Sequence, residues 1–174
     1  MAKGARIEPY LKRLFGYAFS LARDPHHAQD LVQECALRAL SARNTPTDEP
    51  AYKTWLFRIL KNAFVDRLRR EKTIAAHQLE AGSLSNMEFW QGDERLITTL
   101  TVKIGMEKLP PPQREILGLI DIAGLSYAEA AHFLGVPVGT IMSRISRARR
   151  ALLDAVGSSN VHELPVKKKK KGMQ

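Results

Sequence analysis

Four side chains in the stretch Leu125 to Leu152, LSYAEAAHFLGVPVGTIMSRISRARRAL, have the chemistry to read a nucleic acid together. Thr140, Ser143, Arg144 and Arg147 recur at i, i+3, i+4 and i+7, so a helix places them on one face. Hydroxyls and guanidiniums are the groups that hydrogen-bond base edges and phosphates. Arg149 and Arg150 bring this helix to four arginines, with no acid between Val138 and Arg150. The elements that must position these groups are written beside them. Ser126 and Glu129 have capping-box spacing, Ala130, Ala131 and Leu134 allow close packing, Gly135 ends the first helix, and Pro137 suits the start of a second. Ile141, Ile145, Ala148 and Leu152 repeat at helical spacing as the buried stripe of that second helix. An ordinary hairpin with a solvated arginine face would account for the charge alone. The small-residue first helix, the short glycine turn and the acid-free second helix occur together, and that combination favours a DNA-binding helix-turn-helix.

A second set of polar residues lies upstream. Asp30, Gln33, Glu34 and Arg38 share the outer side of a helix running from Pro25 to about Ser41, whose inner stripe is Ala28, Leu31, Val32, Cys35 and Ala39. Periodicity alone reads this acidic patch as a solvated face. A third helix spans Ala51 to about Lys72, with Leu56, Ile59, Leu60, Ala63, Phe64 and Leu68 directed inward and Arg58, Asn62, Asp66, Arg69 and Arg70 along an outer face. Tyr52, Trp55 and Phe57 crowd its start. Aromatics beside a basic helix can stack on unpaired bases, although a core role is the plainer reading for Trp55 and Phe57. Between these helices, Ala42 to Pro50 (ARNTPTDEP, with Asn44) reads as a shaped loop.

The whole pattern is all-α: two small helical bundles joined by a linker, the second ending in the helix-turn-helix. Residues 1–72 make the first bundle, with an opening helix from Ile7 to Ala22. Residues 73–93 lose periodicity and form the linker, unusual only in holding Phe89 and Trp90. Residues 94–156 make the second bundle, with helices over Glu94–Lys108 (Leu96, Ile97, Leu100 and Ile104 apolar) and Gln113–Ala123. Residues 157–174 read as a basic disordered tail. The net charge is +9, and Lys167 to Lys171 supply five of it, so the body is moderately basic. A single cysteine, Cys35, rules out an intrachain disulfide. No run is apolar enough for membrane insertion and the N-terminus lacks a signal-peptide core, so a soluble, cytoplasmic protein is expected. No glycine-rich phosphate loop, nucleophile elbow or HExxH pattern occurs, and the histidines at 26, 27, 77, 132 and 162 form no metal or catalytic set. The expectation is a protein that is not an enzyme and needs no cofactor and no metal.

Four blocks, in order, resemble the extracytoplasmic-function (ECF) sigma factors, small sigma-70-type subunits of bacterial RNA polymerase. They are DLVQE at 30–34, TWLFRILKNAFVDRLRR at 54–70, LP at 109–110 with QRE at 113–115, and GLSYAE at 124–129 continuing to VGTIMSR at 138–144 and RAR at 147–149. The resemblance covers about residues 5–72 and 94–156. It implies that the helix bearing Asp30, Gln33 and Glu34 docks on the β′ clamp coiled coil of core RNA polymerase, and that the β flap is a second contact. It implies that the loop before Trp55, with Asn44, holds a flipped base of the minus-ten element, and that Asn62, Asp66, Arg69 and Arg70 contact and help to melt that element. Thr140, Ser143, Arg144, Arg147 and Arg149 would read the minus-thirty-five element of promoter DNA, and the linker would thread toward the polymerase channels. An anti-sigma factor is a further partner such a protein can have. Departures from the family pattern are Met142, where a basic residue is common, and the loop 42–50, which lacks a common Phe-Arg pair. A free-standing helix-turn-helix regulator that ignores polymerase is the alternative. The DLVQE and TWL blocks argue against it.

Overall fold

The computed structural model describes residues 6–75 and 95–160. A 3-10 turn, Glu8–Tyr10, leads into α1 (Leu11–Ala22), followed by α2 (Pro25–Ser41) and α3 (Glu49–Ala75). The second half holds α4 (Arg95–Lys108), α5 (Pro111–Leu117), a π-helical turn (Gly118–Ile122), α6 (Tyr127–Leu134) and α7 (Val138–Asn160). Most of the linker, including Phe89 and Trp90, lies outside the described residues, as do the side chains of Leu96, Ile97 and Leu100 and the lysine run.

Local chemistry explains the boundaries. Arg23 takes a left-handed conformation (φ 61°) and its N–H bonds to Phe19, closing α1. Asp24 then accepts from the His27 N–H at 2.8 Å and Pro25 occupies the first turn, so α2 begins at once. The Asp48 carboxylate accepts from the Ala51 N–H at 2.8 Å in the same way. Pro50 is therefore inside α3 rather than in the loop, because proline is tolerated in a first turn. At the other end α3 runs to Ala75, past the expected linker boundary at 73. Leu68, expected to point inward, is exposed. The tail also starts later than expected, since 157–160 continue α7.

In the first bundle Leu14, Tyr17, Leu31, Cys35, Leu56, Phe57 and Leu60 are sealed from solvent, with the Tyr17 and Phe57 rings edge-on at 5.6 Å. Burial pushes the Cys35 thiol up to about 12, as suits a packing residue. In the second, Ile116, Leu119, Ile141, Ile145 and Ala148 form the centre beneath α7. The bundles also pack on one another, α1 against α5 and the π turn, α3 against α6. The single helix expected over Gln113–Ala123 starts at Pro111 and widens at Gly118, where the Ala123 N–H reaches the Gly118 carbonyl at 2.8 Å. Gly118 lies so close to Tyr17 and Ser20 of α1 that a Cβ there would collide with the Ser20 hydroxyl. Gly118→Ala should therefore cost about 1–3 kcal/mol of stability. Urea unfolding measures this, and an unshifted midpoint would show that α1 does not press on the π turn.

Candidate nucleic-acid interface

The helix-turn-helix is built by its own caps. The Glu129 N–H donates to Ser126 Oγ at 3.2 Å, and the Ser126 N–H donates to Glu129 Oε2 at 2.6 Å. Gly135 (φ 65°) takes the left-handed cap that ends α6. Ile141, Ile145 and Ala148 anchor α7 in the core. The opposite side of α7 then presents Thr140, Ser143, Arg144 and Arg147 together. Ser143 Oγ donates to the Thr140 carbonyl at 3.0 Å, and Arg147 Nε donates to the Ser143 carbonyl at 3.2 Å. Arg144 is exposed and has no hydrogen bond or ion pair among the described residues.

Arg149 is not part of that cluster. It is nine residues from Thr140, about half a turn away around the helix. Its guanidinium grips Asp121 of the π turn through Nη2–Oδ1 at 2.6 Å and Nε–Oδ2 at 3.2 Å. Hydrogen bonding to that carboxylate holds Arg149 more firmly protonated than usual. Met142 also lies off the face shared by Thr140, Ser143, Arg144 and Arg147, beside a shallow groove shared with Tyr127, Arg149 and Leu153. The missing basic residue at 142 therefore leaves the Arg144–Arg147 face intact.

On the first bundle, Asp30 and Gln33 are exposed and Glu34 is half-buried. Ion pairs run both within and between α2 and α3. Arg38 bonds Glu34 at 2.5 Å and approaches Asp66 at 3.9 Å, and Arg67 approaches Asp30 at 3.5 Å and Glu71 at 3.0 Å. Asp66 thus steadies Arg38 and, at 4.0 Å, Arg69, which accounts for an acid amid a basic face. Asn62, Arg69 and Arg70 are exposed. Leu37, 66% exposed, continues the Asp30–Gln33–Glu34 face one turn further and was not singled out from sequence, although its i+7 spacing from Asp30 marks it.

The start of α3 is stacked. Tyr52 is buried, Trp55 is half-buried at 5.6 Å from it, and Phe57 belongs wholly to the core. Asn44 is exposed on the preceding loop. Beyond Trp55 this face meets α6. Lys53 Nζ bonds Glu129 Oε1 at 3.0 Å and the Gly124 carbonyl at 3.2 Å. Lys61 pairs with Glu115 and, with Arg58, flanks the Phe133 ring. Pro50, Thr54, Trp55 and Arg58 line one side of a groove, and Ala128, Glu129 and His132 the other. Burial would raise the Glu129 carboxyl, but the Ser126 and Lys53 hydrogen bonds outweigh it and hold it below the usual range. Its contribution to stability is present above the ordinary carboxylate pKa and is lost as pH falls through the lowered value. Buried Arg114 ties α5 to the first bundle, donating to the Ser20 carbonyl at 3.3 Å and to the Leu109 carbonyl. Sequence periodicity marks none of Lys53, Lys61 and Arg114 as a link between halves.

Among the described residues no group of three or more His, Cys, Asp or Glu could hold a metal ion. No described helix is long and apolar enough to cross a membrane.

Comparison with known proteins accounts for both halves. The family model for Sigma-70 region 2 matches residues 6–74, and that for Sigma-70, region 4 matches residues 106–152. The ECF RNA polymerase sigma factor EcfG of Rhodopseudomonas palustris is 34% identical over 139 residues, covering 80% of this chain and 76% of that protein. The factor SigE of Mycolicibacterium smegmatis is 34% identical over 155 residues, covering 85% of this chain, which spans 59% of that relative's length. The sigma factor RpoE of Bartonella quintana, solved in complex with the anti-sigma factor NepR, superposes with a TM-score of 0.65 at 28% identity, covering 88% of this chain and 95% of that one.

Proposed function

Because the chain belongs to the extracytoplasmic-function sigma factors of the sigma-70 family, we propose that it is a promoter-specificity subunit that binds core RNA polymerase and starts transcription at promoters it selects. Sigma factors are not themselves catalysts, so the reaction belongs to the polymerase. Residues 1–72 act as region 2 and 94–156 as region 4. The face Asp30–Gln33–Glu34, extended by Leu37, docks on the β′ clamp, and region 4 meets the β flap. Thr140, Ser143, Arg144 and Arg147 read the minus-thirty-five duplex. Arg149 holds α7 on the π turn and reaches DNA only by leaving Asp121. The loop with Asn44, Trp55, and the α3 face of Asn62, Asp66, Arg69 and Arg70 receive the melted minus-ten strand. Since RpoE was solved with NepR, an anti-sigma factor is a fitting partner here as well. The chain works where polymerase works, in the cytoplasm.

The observation that carries this reading is the pairing, in one chain, of an outward-facing Thr140–Arg147 cluster with a separate exposed face at Asp30, Gln33 and Leu37. A free-standing regulator needs only the first. Glu34→Lys reverses a charge at the docking face and should weaken binding to core polymerase by about tenfold or more while sparing DNA binding by α7. Competition against a labelled sigma subunit for core enzyme measures it. Unchanged affinity would remove the clamp assignment.

The proposed two-point reading also demands a change of shape. The minus-ten and minus-thirty-five elements are, by their names, about 25 base pairs apart, or about 85 Å along B-DNA. A compact chain of 174 residues has a radius of gyration of about 16 Å. With Lys53 bonded to Glu129, the two reading surfaces are far too close to engage both elements. On the promoter the halves separate, and tethering to one polymerase restores the advantage of two weak contacts.

A further inference from the structure

We propose that Arg6, seconded by Tyr10, is a positioning residue for base capture in the minus-ten element. It shapes the loop between α2 and α3 before DNA arrives. The inference rests on the reading given above that this loop holds a flipped base.

The loop 42–48 has no regular structure of its own. Its far end is fixed by a residue forty positions earlier in the chain. Arg6 Nη1 donates to the Pro46 carbonyl at 2.7 Å, and Nη2 donates to the Thr47 carbonyl at 2.9 Å. Nη2 also meets Glu49 Oε2 at 3.3 Å. The guanidinium carbon lies 3.9 Å from the Tyr52 ring centroid. From the other side the Tyr10 hydroxyl donates to Glu49 Oε1 at 2.5 Å, and the Tyr10 and Tyr52 rings meet edge-on at 6.1 Å. Asp48 caps α3 directly after the two gripped carbonyls. The loop is thereby held at 46, 47, 48 and 49, while Arg43 and Asn44 stay exposed.

The arrangement is specific to arginine. One planar fork satisfies two carbonyls and a carboxylate while its face stacks on an aromatic ring, which a single ammonium cannot do. Its use follows from the energetics of capture. Extruding a base costs a few kcal/mol, and a pocket that must also order its own loop at that moment loses part of what it gains. A loop already fixed avoids that loss. Arg6 therefore acts through the loop and need not touch DNA.

The test uses holoenzyme reconstituted from core polymerase and the full chain. Promoters are selected from a library randomised across the minus-ten element, and 2-aminopurine is then placed at the selected positions to report unstacking. Arg6→Gln should lower discrimination by about tenfold at one or two adjacent minus-ten positions and reduce the unstacking signal there. Binding to minus-thirty-five duplex should not change. Arg6→Lys should recover only part of the loss. Tyr10→Phe removes the opposing bond to Glu49 without touching a charge, and should shift the same positions by a smaller factor. It serves as the test should Arg6→Gln fail to fold. If Asn44→Ala shifts the preference while the clamp variants keep the wild-type preference, the loop reads the base and Arg6 has no part in it. If Asn44→Ala leaves the preference untouched too, the base-capture reading itself falls, and the clamp with it.

Discussion

Gly16→Cys combined with Ile122→Cys should form a disulfide under mild oxidation, and the locked protein should initiate at its promoter about a hundredfold less often than the same protein reduced. Gly16 sits in α1 and Ile122 in the π turn. A Cβ at 16 would stand 4.0 Å from the Ile122 Cβ, inside the range a disulfide needs. The Ile122 methyl that would crowd it is removed by the second substitution. Cys35 does not compete, being sealed in the core with its thiol pushed up to about 12. The size of the effect follows from what the bond forbids. With α1 pinned to the π turn, one half can reach its element only when the other does not, so the gain from tethering two sites is lost. Run-off transcription with and without reductant, beside each single cysteine, measures it. A locked protein as active as the reduced one would mean that the closed arrangement engages both elements, and the two-point geometry would be wrong.

Arg144→Ala should weaken promoter binding by about 1–3 kcal/mol, and only for promoters carrying the preferred base pair at one minus-thirty-five position. The side chain is exposed beside Thr140, Ser143 and Arg147 and has no competing partner among the described residues, so the substitution disturbs little within the protein itself. Arg149→Ala gives the contrast. Its guanidinium is already committed to Asp121, so its loss should reduce stability modestly, as expected for an exposed ion pair, without changing base preference. Holoenzyme binding to duplexes bearing single changes across the element separates the two. An equal loss on every duplex would reduce Arg144 to a phosphate contact.

The contrast between these two arginines separates what is legible in a sequence from what is not. Features decided within a few residues were legible. The Ser126–Glu129 box, the Gly135 cap, the Asp24–Pro25 restart and the Ile141–Ile145–Ala148 stripe all have short, periodic signatures, and the structure contains each of them. Arg149 looked equivalent to Arg147 because composition does not show which guanidinium has an acid across the turn at Asp121. Pro50 looks like loop in the sequence because proline usually ends helices, whereas Asp48 turns it into part of a start. The contacts joining the halves, Lys53 to Glu129, Lys61 to Glu115 and Arg114 to Ser20, span more than fifty residues each and leave no trace in spacing. The Arg6 clamp is hidden for the same reason. The family resemblance, resting on local blocks, gives no indication that the two halves pack on one another.

Whether this chain directs core polymerase to promoters is decided by adding the protein to sigma-free core RNA polymerase on fragmented genomic DNA and sequencing the 5′ ends of the transcripts. Discrete start sites should appear only when the chain is present, each preceded by one shared pair of elements, and Arg144→Ala should thin them out. Binding of the chain to DNA with no start sites from the core enzyme would contradict the account and leave a regulator that merely carries the same helix-turn-helix.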